Sequence, residues 1–233
     1  NKIFGRNVAE IGIGKPVTSL IEKFESEDLG VILYDSPGYE IDKVRQFEDE
    51  VIDIKKKEAV NLVWYCIQAS GNRITDFDIG TIKKFRENNL PVSIILTKCD
   101  LEPKEGREKL KEAINKNIGK IDIYEMSSTV EDEFYTKELQ RLVSDAIKKL
   151  PDILRDAFIS AQKVNLDEKW NRAHEAILQH IAIAFAVPFN PIPFSDAPIL
   201  VANQFGMIAR ILYIYDLGGL ENMFKGGAIQ SII

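Results

Sequence analysis

The chain has 233 residues, of which 45% are hydrophobic and 28% are charged, as is typical of a globular protein with one large domain or a medium domain plus a small one. The formal net charge of -6 argues against electrostatic binding of nucleic acid, which requires a basic excess. Cys66 and Cys99 lack paired spacing, and His174 and His180 have no cysteine cluster nearby. We therefore expect reduced thiols in a cytosolic protein, without a disulfide or a cysteine–histidine metal site.

Strands and helices alternate through the first part of the sequence. Apolar runs predict strands at 17–24, 30–34, 59–67, 92–96 and 121–126, and helical spacing predicts helices at 42–57, 75–88, 103–117 and 134–150. Asn89 is expected to cap the second of these helices before Pro91. This alternation predicts an α/β fold with a mostly parallel sheet and helices on both faces.

The pattern changes at Pro151, after which the strand signals stop. Helical patterns cover 152–187, with a polar interval near 165–172, and 197–214. We therefore predict two domains, an α/β domain at 1–150 and an α-helical C-terminal domain at 151–233.

Polar motifs follow three of the predicted strands. They are Asp35-Ser36-Pro37-Gly38, Thr97-Lys98-Cys99-Asp100 and Ser127-Ser128, and Thr18 lies in a loop upstream of them. Ligands of open α/β sheets bind at the carboxyl ends of strands. Lys98 and Asp100 have the spacing to read guanine, since the lysine stem can cover the ring while the carboxylate accepts hydrogens from N1 and N2. Taken alone, the same pair is also typical of a helix N-cap beside a solvated charge.

The four motifs together, in this order, resemble those of a Ras-like P-loop GTPase of the Era-like kind. The resemblance covers about residues 1–150 and lacks the first strand and the phosphate loop. It implies a P-loop GTPase fold that binds GTP or GDP with Mg²⁺.

The resemblance implies roles for the residues of each motif. Thr18 would bind Mg²⁺ and sense the γ-phosphate, Asp35 would hold Mg²⁺, and the Gly38 amide would point at the γ-phosphate. Lys98 and Asp100 would read guanine, with Thr97 in the place usually held by asparagine. In the last loop, Ser127 and Ser128 would present a backbone amide to the guanine O6, with Ser128 replacing the usual alanine.

Tyr39 follows Gly38, where Ras-type enzymes have a glutamine that orients the attacking water. Two interpretations are open. Tyr39 packs on its own loop, or the site hydrolyses GTP slowly until a protein effector or a second copy in a homodimer completes it.

A phosphate loop of the form Gly-x-x-x-x-Gly-Lys-Ser/Thr is missing from the sequence. Gly14-Lys15 does not qualify, because Ala9 stands five residues before Gly14 and Pro16 replaces the Ser or Thr. We expect the loop to lie before Asn1, since residues 1–4 are typical of a helix end.

The second region contains two apolar stretches, 176–187 and 197–214, separated by a proline-rich segment. The turn at 191–198 and Gln204-Phe205-Gly206-Met207 resemble the C-terminal domain of some bacterial Era-like GTPases and of membrane proteins of the YcjF type. A helical interaction module is the preferred interpretation, and a shallow membrane hairpin through 176–214 is the alternative.

These observations predict a cytoplasmic GTP-binding switch with slow hydrolysis, whose nucleotide state is read by the helical region. Peripheral attachment to the inner membrane follows if the hairpin contacts lipid. The rival hypothesis is a non-catalytic scaffold on a degenerate GTPase fold.

Overall fold

The computed structural model describes residues 2–5, 21–25, 30–36, 53, 60–71, 73–130, 132–186 and 197–217. The chain divides into two compact units, one of Asn1–Phe24 with Leu33–Pro151 and the other of Glu25–Ile32 with Asp152–Ile233. Three residues to which the sequence assigned roles, Thr18, Gly38 and Tyr39, lie outside the described residues, as does nearly all of the helix predicted at 42–57.

The described part is mixed α/β, which confirms the predicted class at this level. Its five strands are β1 (Glu22–Glu25), β2 (Ile32–Asp35), β3 (Val63–Gln68), β4 (Val92–Thr97) and β5 (Ile123–Glu125). Its six α-helices are α1 (Asp76–Glu87), α2 (Lys104–Ile118), α3 (Glu133–Lys149), α4 (Asp152–Ala161), α5 (Leu166–Ala186) and α6 (Ala197–Ile214).

The central sheet is parallel and has the order β3-β4-β5. Its register pairs Gln68 at the end of β3 with Thr97 at the end of β4, so both strands finish at the same level. β1 and β2 pair in a separate two-stranded sheet. The predicted parallel sheet is therefore present, with three strands in the described residues.

Helices cover both faces of this sheet. α1 and α2 are successive crossovers between adjacent parallel strands, and right-handed connections in one direction place both on the same face. Ile94 and Leu96 of β4 are buried there with Ile82 and Phe85 of α1. The alternate residue Ser93 faces α3, where its hydroxyl donates to Asp145 at 3.1 Å and accepts from Lys149 at 2.8 Å. β4 is thus buried on both sides, as its mostly apolar sequence predicts.

The boundaries of α1 and β3 differ slightly from the prediction. Thr75 and Asp78 form a capping box that starts α1 at Asp76. Asn88 rather than Asn89 is the C-cap, and Asn89 has a left-handed φ of 55°. β3 runs from Val63 to Gln68 instead of 59–67, because its pairing begins only where β4 begins, after Pro91.

The helix predicted at 152–187 is divided into α4 and α5. Gln162 is fully buried, and its side-chain oxygen accepts the Val164 and Asn165 amides at 2.9 and 2.8 Å. Its side-chain nitrogen donates to the Asn165 carbonyl at 2.8 Å. One glutamine therefore satisfies the backbone of the connecting turn and ends α4 before the polar interval that the sequence shows.

α6 has the bounds that the sequence predicts. Among the described helices, it alone is long and apolar enough to cross a membrane by length and composition.

Candidate functional site

The loops after β3, β4 and β5 meet at one edge of the parallel sheet. The loop after β4 lies between the other two, because Gln68 is level with Thr97 and the Cys99 amide donates to the Met126 carbonyl at 3.1 Å. The predicted guanine-reading residues and the Ser127 loop are therefore brought together. Asp35 ends β2 and belongs to the separate two-stranded sheet.

Lys98 has an unusual backbone conformation for a lysine. Its φ of 55° and ψ of 38° place it in the left-handed region, which a non-glycine residue adopts at an energetic cost. Its side chain is exposed, and its Nζ donates to Gln68 Oε1 at 3.2 Å. This backbone turns the side chain towards the neighbouring strand end, where it is available to a ligand.

Asp100 is held by hydroxyl groups from the loop after β5. Thr129 Oγ1 donates to Asp100 Oδ2 at 2.9 Å. Hydrogen bonds from Ser127 first and Thr129 second lower the pKa of the Asp100 carboxyl. Because Asp100 is ionised at neutral pH and partly exposed, its carboxylate can accept hydrogens from a ligand.

Ser127 and Ser128 have different environments. Ser127 is buried, and its Oγ accepts the backbone amides of Thr129 and Val130 at 3.2 and 3.0 Å. Ser128 is exposed. Ser127 therefore shapes the loop that presents Thr129 to Asp100, while the Ser128 side chain is open to solvent.

Thr97 makes a weaker contact than an asparagine could make. Its hydroxyl donates to the Ile67 carbonyl at 3.4 Å, the long end of a hydrogen bond. The bond links the end of β4 to β3, so Thr97 contributes to loop position with one donor.

An ion-paired cluster fixes the loop after β4 to β5. Arg107 donates to the carbonyls of Cys99 and Glu102 at 2.9 and 2.7 Å, and its Nε lies 2.6 Å from Glu125. Glu125 is 2% exposed and also pairs with Lys111. Sequence reasoning missed this cluster, although two cations spaced i,i+4 on one helix, followed by an acid at the end of the next strand, are a usable signal.

Both cysteines are free, and neither is activated as a thiolate. Burial raises the pKa of the Cys99 thiol to about 11, and its Sγ donates to the Leu96 carbonyl at 3.2 Å. The Cys66 side chain has an exposed surface, but crowding by surrounding protein raises the pKa of its thiol to about 11. The Asp35 carboxylate adds to this shift, so the end of β2 lies near enough to β3 to act electrostatically.

Asp35 has the chemistry of a magnesium ligand, since Mg²⁺ prefers one or two carboxylates completed by phosphates and water. Its side chain is exposed at the end of β2. The described residues contain no group of three or more His, Cys, Asp or Glu placed to hold a metal ion. A magnesium site at Asp35 would therefore need oxygens from beyond the described residues or from a ligand such as a nucleotide.

Comparison of the sequence with protein-family models gave no match, and comparison with curated protein sequences gave no significant match.

Proposed function

We propose that the chain is the base-reading part of an Era-like P-loop GTPase that acts as a guanine-nucleotide switch. The observation that carries this proposal is the position of Asp100, which is ionised, partly exposed and oriented by Thr129 beside Lys98. A carboxylate in this state accepts two hydrogens from the N1–N2 edge of guanine. Adenine has no donor at these positions, so the site selects guanine.

The architecture supports the same proposal. The loops that carry Lys98 and Asp100 follow β4, the central strand of a parallel sheet, and ligands bind at such strand ends. Among the described strands β3 pairs with β4, and the resemblance requires the first strand on the other side of β3. Asp35 would hold Mg²⁺ with Thr18, and the Gly38 amide would sense the γ-phosphate.

Hydrolysis in this proposal is slow. Catalysis by this class relies on positioned charges around the phosphates and on a residue that orients water. The sequence has Tyr39 where that residue would stand, and a phenol in this place does not orient water as a glutamine amide does. The nucleotide state would therefore persist and be relayed to the helical unit.

The test is titration of the protein, expressed from its complete coding sequence, with a fluorescent GDP analogue. Asp100→Asn should weaken GDP binding about 10- to 100-fold, because a charged hydrogen bond is lost. It should strengthen xanthosine diphosphate binding, since the Asn amide can donate to the xanthine 2-oxo group. Asp167→Asn, an exposed substitution in the other unit, is the control. Equal binding of ATP and GTP by the unmodified protein would refute the guanine assignment.

A non-catalytic scaffold is the second candidate, and it is favoured by the absence of a Gly-x-x-x-x-Gly-Lys motif from the 233 residues. The same titration separates the two. If the complete protein binds no purine nucleotide at millimolar concentration, the fold serves protein contacts alone.

A further inference from the structure

The helical unit contains a two-helix hairpin whose far half is almost without charge. The hairpin is formed by α5 and α6. Its far half consists of residues 176–186 of α5 and 197–209 of α6, and we call these residues the apolar half-hairpin. From residue 176 to residue 209 the sequence contains one Asp, Glu, Lys or Arg, which is Asp196. Soluble helices normally carry charges on their solvent side, so this composition needs an explanation.

Large apolar side chains of the apolar half-hairpin are exposed on both helices. The most exposed is Phe185, at 86%. The others are Leu178, Ile181, Ile183, Ile199, Val201 and Phe205. Large apolar side chains exposed together on one hairpin mark a site of association.

On α5 the exposed apolar residues extend well beyond one face of the helix. An α-helix turns by about 100° per residue. The exposed side chains of Leu178, Ile181 and Ile183 on α5 therefore span well over a third of the circumference of the helix. A protein groove would cover one face of a helix. An apolar surface this wide fits an environment that surrounds the hairpin, as lipid acyl chains do.

Two polar side chains of the apolar half-hairpin, those of His180 and Asn203, contact each other between the helices, whereas Gln179 and Gln204 are exposed. His180 Nδ1 and Asn203 Oδ1 are 2.7 Å apart, and Asn203 Nδ2 donates to the His180 carbonyl at 2.8 Å. Gly206 of α6 faces the same histidine, since a Cβ there would lie 3.4 Å from His180 Cε1, in van der Waals contact. Hydrogen bonds and small residues between helices are the means by which helices associate in lipid.

The charged base of the hairpin begins where the apolar half-hairpin ends. Asp156 of α4 pairs with Arg172 of α5 and with Arg210 of α6. Trp170 and Tyr213, both exposed, lie on this base. Charged residues followed by Trp and Tyr are typical of the level at which a helix meets the lipid headgroups.

The length of the apolar half-hairpin matches one leaflet. Residues 176–186 rise about 16 Å and residues 197–209 about 20 Å at 1.5 Å per residue, against about 15 Å for half of a hydrocarbon core. Both lengths fall short of the roughly 30 Å needed to cross a membrane, and the whole of α6 reaches a spanning length only if Arg210 enters the hydrocarbon.

We propose that the apolar half-hairpin inserts into one leaflet of a lipid bilayer and anchors the protein to the membrane surface. The inference rests on the helical unit alone and is independent of the nucleotide proposal. Asp196 and the exposed Gln204 oppose insertion, and the exposed apolar residues of both helices outweigh them. Because the half-hairpin carries no Lys or Arg, binding is driven by apolar burial and not by anionic lipid.

The experiment is co-sedimentation of the 233-residue chain with neutral phosphatidylcholine vesicles. The chain should sediment with the vesicles, and raising NaCl from about 0.05 M to about 0.5 M should change the bound fraction little, since screening affects only charge. Phe185→Glu should lower the partition coefficient at least about tenfold, as expected for a charge placed in hydrocarbon. Ile153→Glu is the matched control, because Ile153 of α4 is 88% exposed but lies outside the apolar half-hairpin.

A depth measurement distinguishes insertion from adsorption. Phe185→Trp should show blue-shifted emission and strong quenching by lipids brominated within the acyl chain. Circular dichroism of each variant checks that the helices are retained. The proposal is overturned if the chain stays in the supernatant, or if Ile153→Glu and Phe185→Glu weaken binding equally. It is also overturned if lipid-free chains form a dimer that Phe185→Glu abolishes, since the occupant is then a second copy.

Discussion

Asp100 shows how a short motif depends on residues outside it. The motif Thr97-Lys98-Cys99-Asp100 supplies the carboxylate, but Thr129 and Ser127 orient it and lower its pKa. Glu125 and Arg107 fix the loop on which it lies. The orientation of the Asp100 carboxylate is therefore set by two loops and one buried ion pair.

Removing the Thr129 hydroxyl should alter Asp100 without unfolding the loop. In Thr129→Val we expect GDP affinity to fall about three- to tenfold, the effect of one hydrogen bond to a charged group. The pKa of Asp100 should rise, because a donor to its ionised form is lost, so nucleotide binding should be lost at a higher pH on acidification. The pH profile of affinity and carboxyl ¹³C titration measure the two effects.

Ser128→Ala is the control for this prediction, because the Ser128 side chain is exposed and its expected contact is through the backbone. A Thr129→Val protein whose Asp100 titrates as in the unmodified chain would contradict the assigned role.

Glu125 should be important for stability as well as for loop position. Glu125→Gln leaves Arg107 and Lys111 without their shared carboxylate at a buried site, and we expect a loss of about 3 kcal/mol in the free energy of unfolding. Glu133→Gln removes an exposed i,i+4 partner of Lys137 and should cost less than about 0.5 kcal/mol. Urea unfolding of both variants gives the comparison, and equal losses would refute the buried-pair account.

At the scale of elements, α3 protects the β5 side of the three-stranded sheet that the described residues form. Glu138 accepts the Glu125 amide at 3.0 Å, and Arg141 donates to the Ile123 carbonyl at 2.6 Å. The two side chains pair with each other at 2.9 Å, and the Arg141 guanidinium lies 4.7 Å from the centre of the Tyr124 ring. Side chains therefore occupy backbone groups of β5 that another strand could otherwise use.

Removing this protection should promote association through β5. For Glu138→Ala with Arg141→Ala, we expect the average mass in sedimentation equilibrium to rise with concentration beyond that of the unmodified chain, because exposed edge groups pair with other chains. Glu133→Ala with Lys137→Ala, an exposed pair on the same helix, is the control. An unchanged mass would show that β5 is too short to recruit a partner.

At the scale of the whole molecule, the two units are stabilised by different means. The α/β unit has an apolar core between its sheet and helices, whereas the helical unit buries a charged residue, Lys169. Lys169 Nζ donates to the Ser160 carbonyl at 2.7 Å and to the Ile214 carbonyl at 2.9 Å, joining the carboxyl ends of α4 and α6. Burial first, and Lys163 second, lower its pKa to about 8, while Asp216 opposes the shift.

The Lys169 pKa predicts a pH-dependent stability. Between pH of about 8 and about 10.5 the unfolded chain holds a proton that the folded chain has lost, so Lys169 makes stability rise with pH across this window, by up to about 3 kcal/mol. Cys66 and Cys99 act in the opposite direction, because their folded-state pKa values are raised. The measurement is therefore the difference in unfolding free energy between the unmodified chain and Lys169→Met. This difference should increase with pH in this window, and a constant difference would contradict the prediction.

The sequence by itself determined what depends on local pattern. Alternating apolar runs and helical spacing predicted the parallel sheet, and the bounds of α6 agree at both ends. The positions of Lys98 and Asp100 at a strand end followed from the same pattern. Burial of β4 on both faces was also readable, since 92–96 is apolar apart from Ser93 and does not alternate with polar residues.

Only the tertiary structure decided which groups meet. Thr129 lies 29 residues from Asp100, and Arg141 lies 18 residues from the Ile123 carbonyl that it caps. No periodicity encodes such pairs, because they arise from the order of strands in the sheet and the packing of α3 against it. The break at Gln162 was missed for the same reason, since a buried side chain that satisfies a turn leaves no local apolar pattern. Local spacing thus sets where each element lies, and long-range packing sets what its ends can bind.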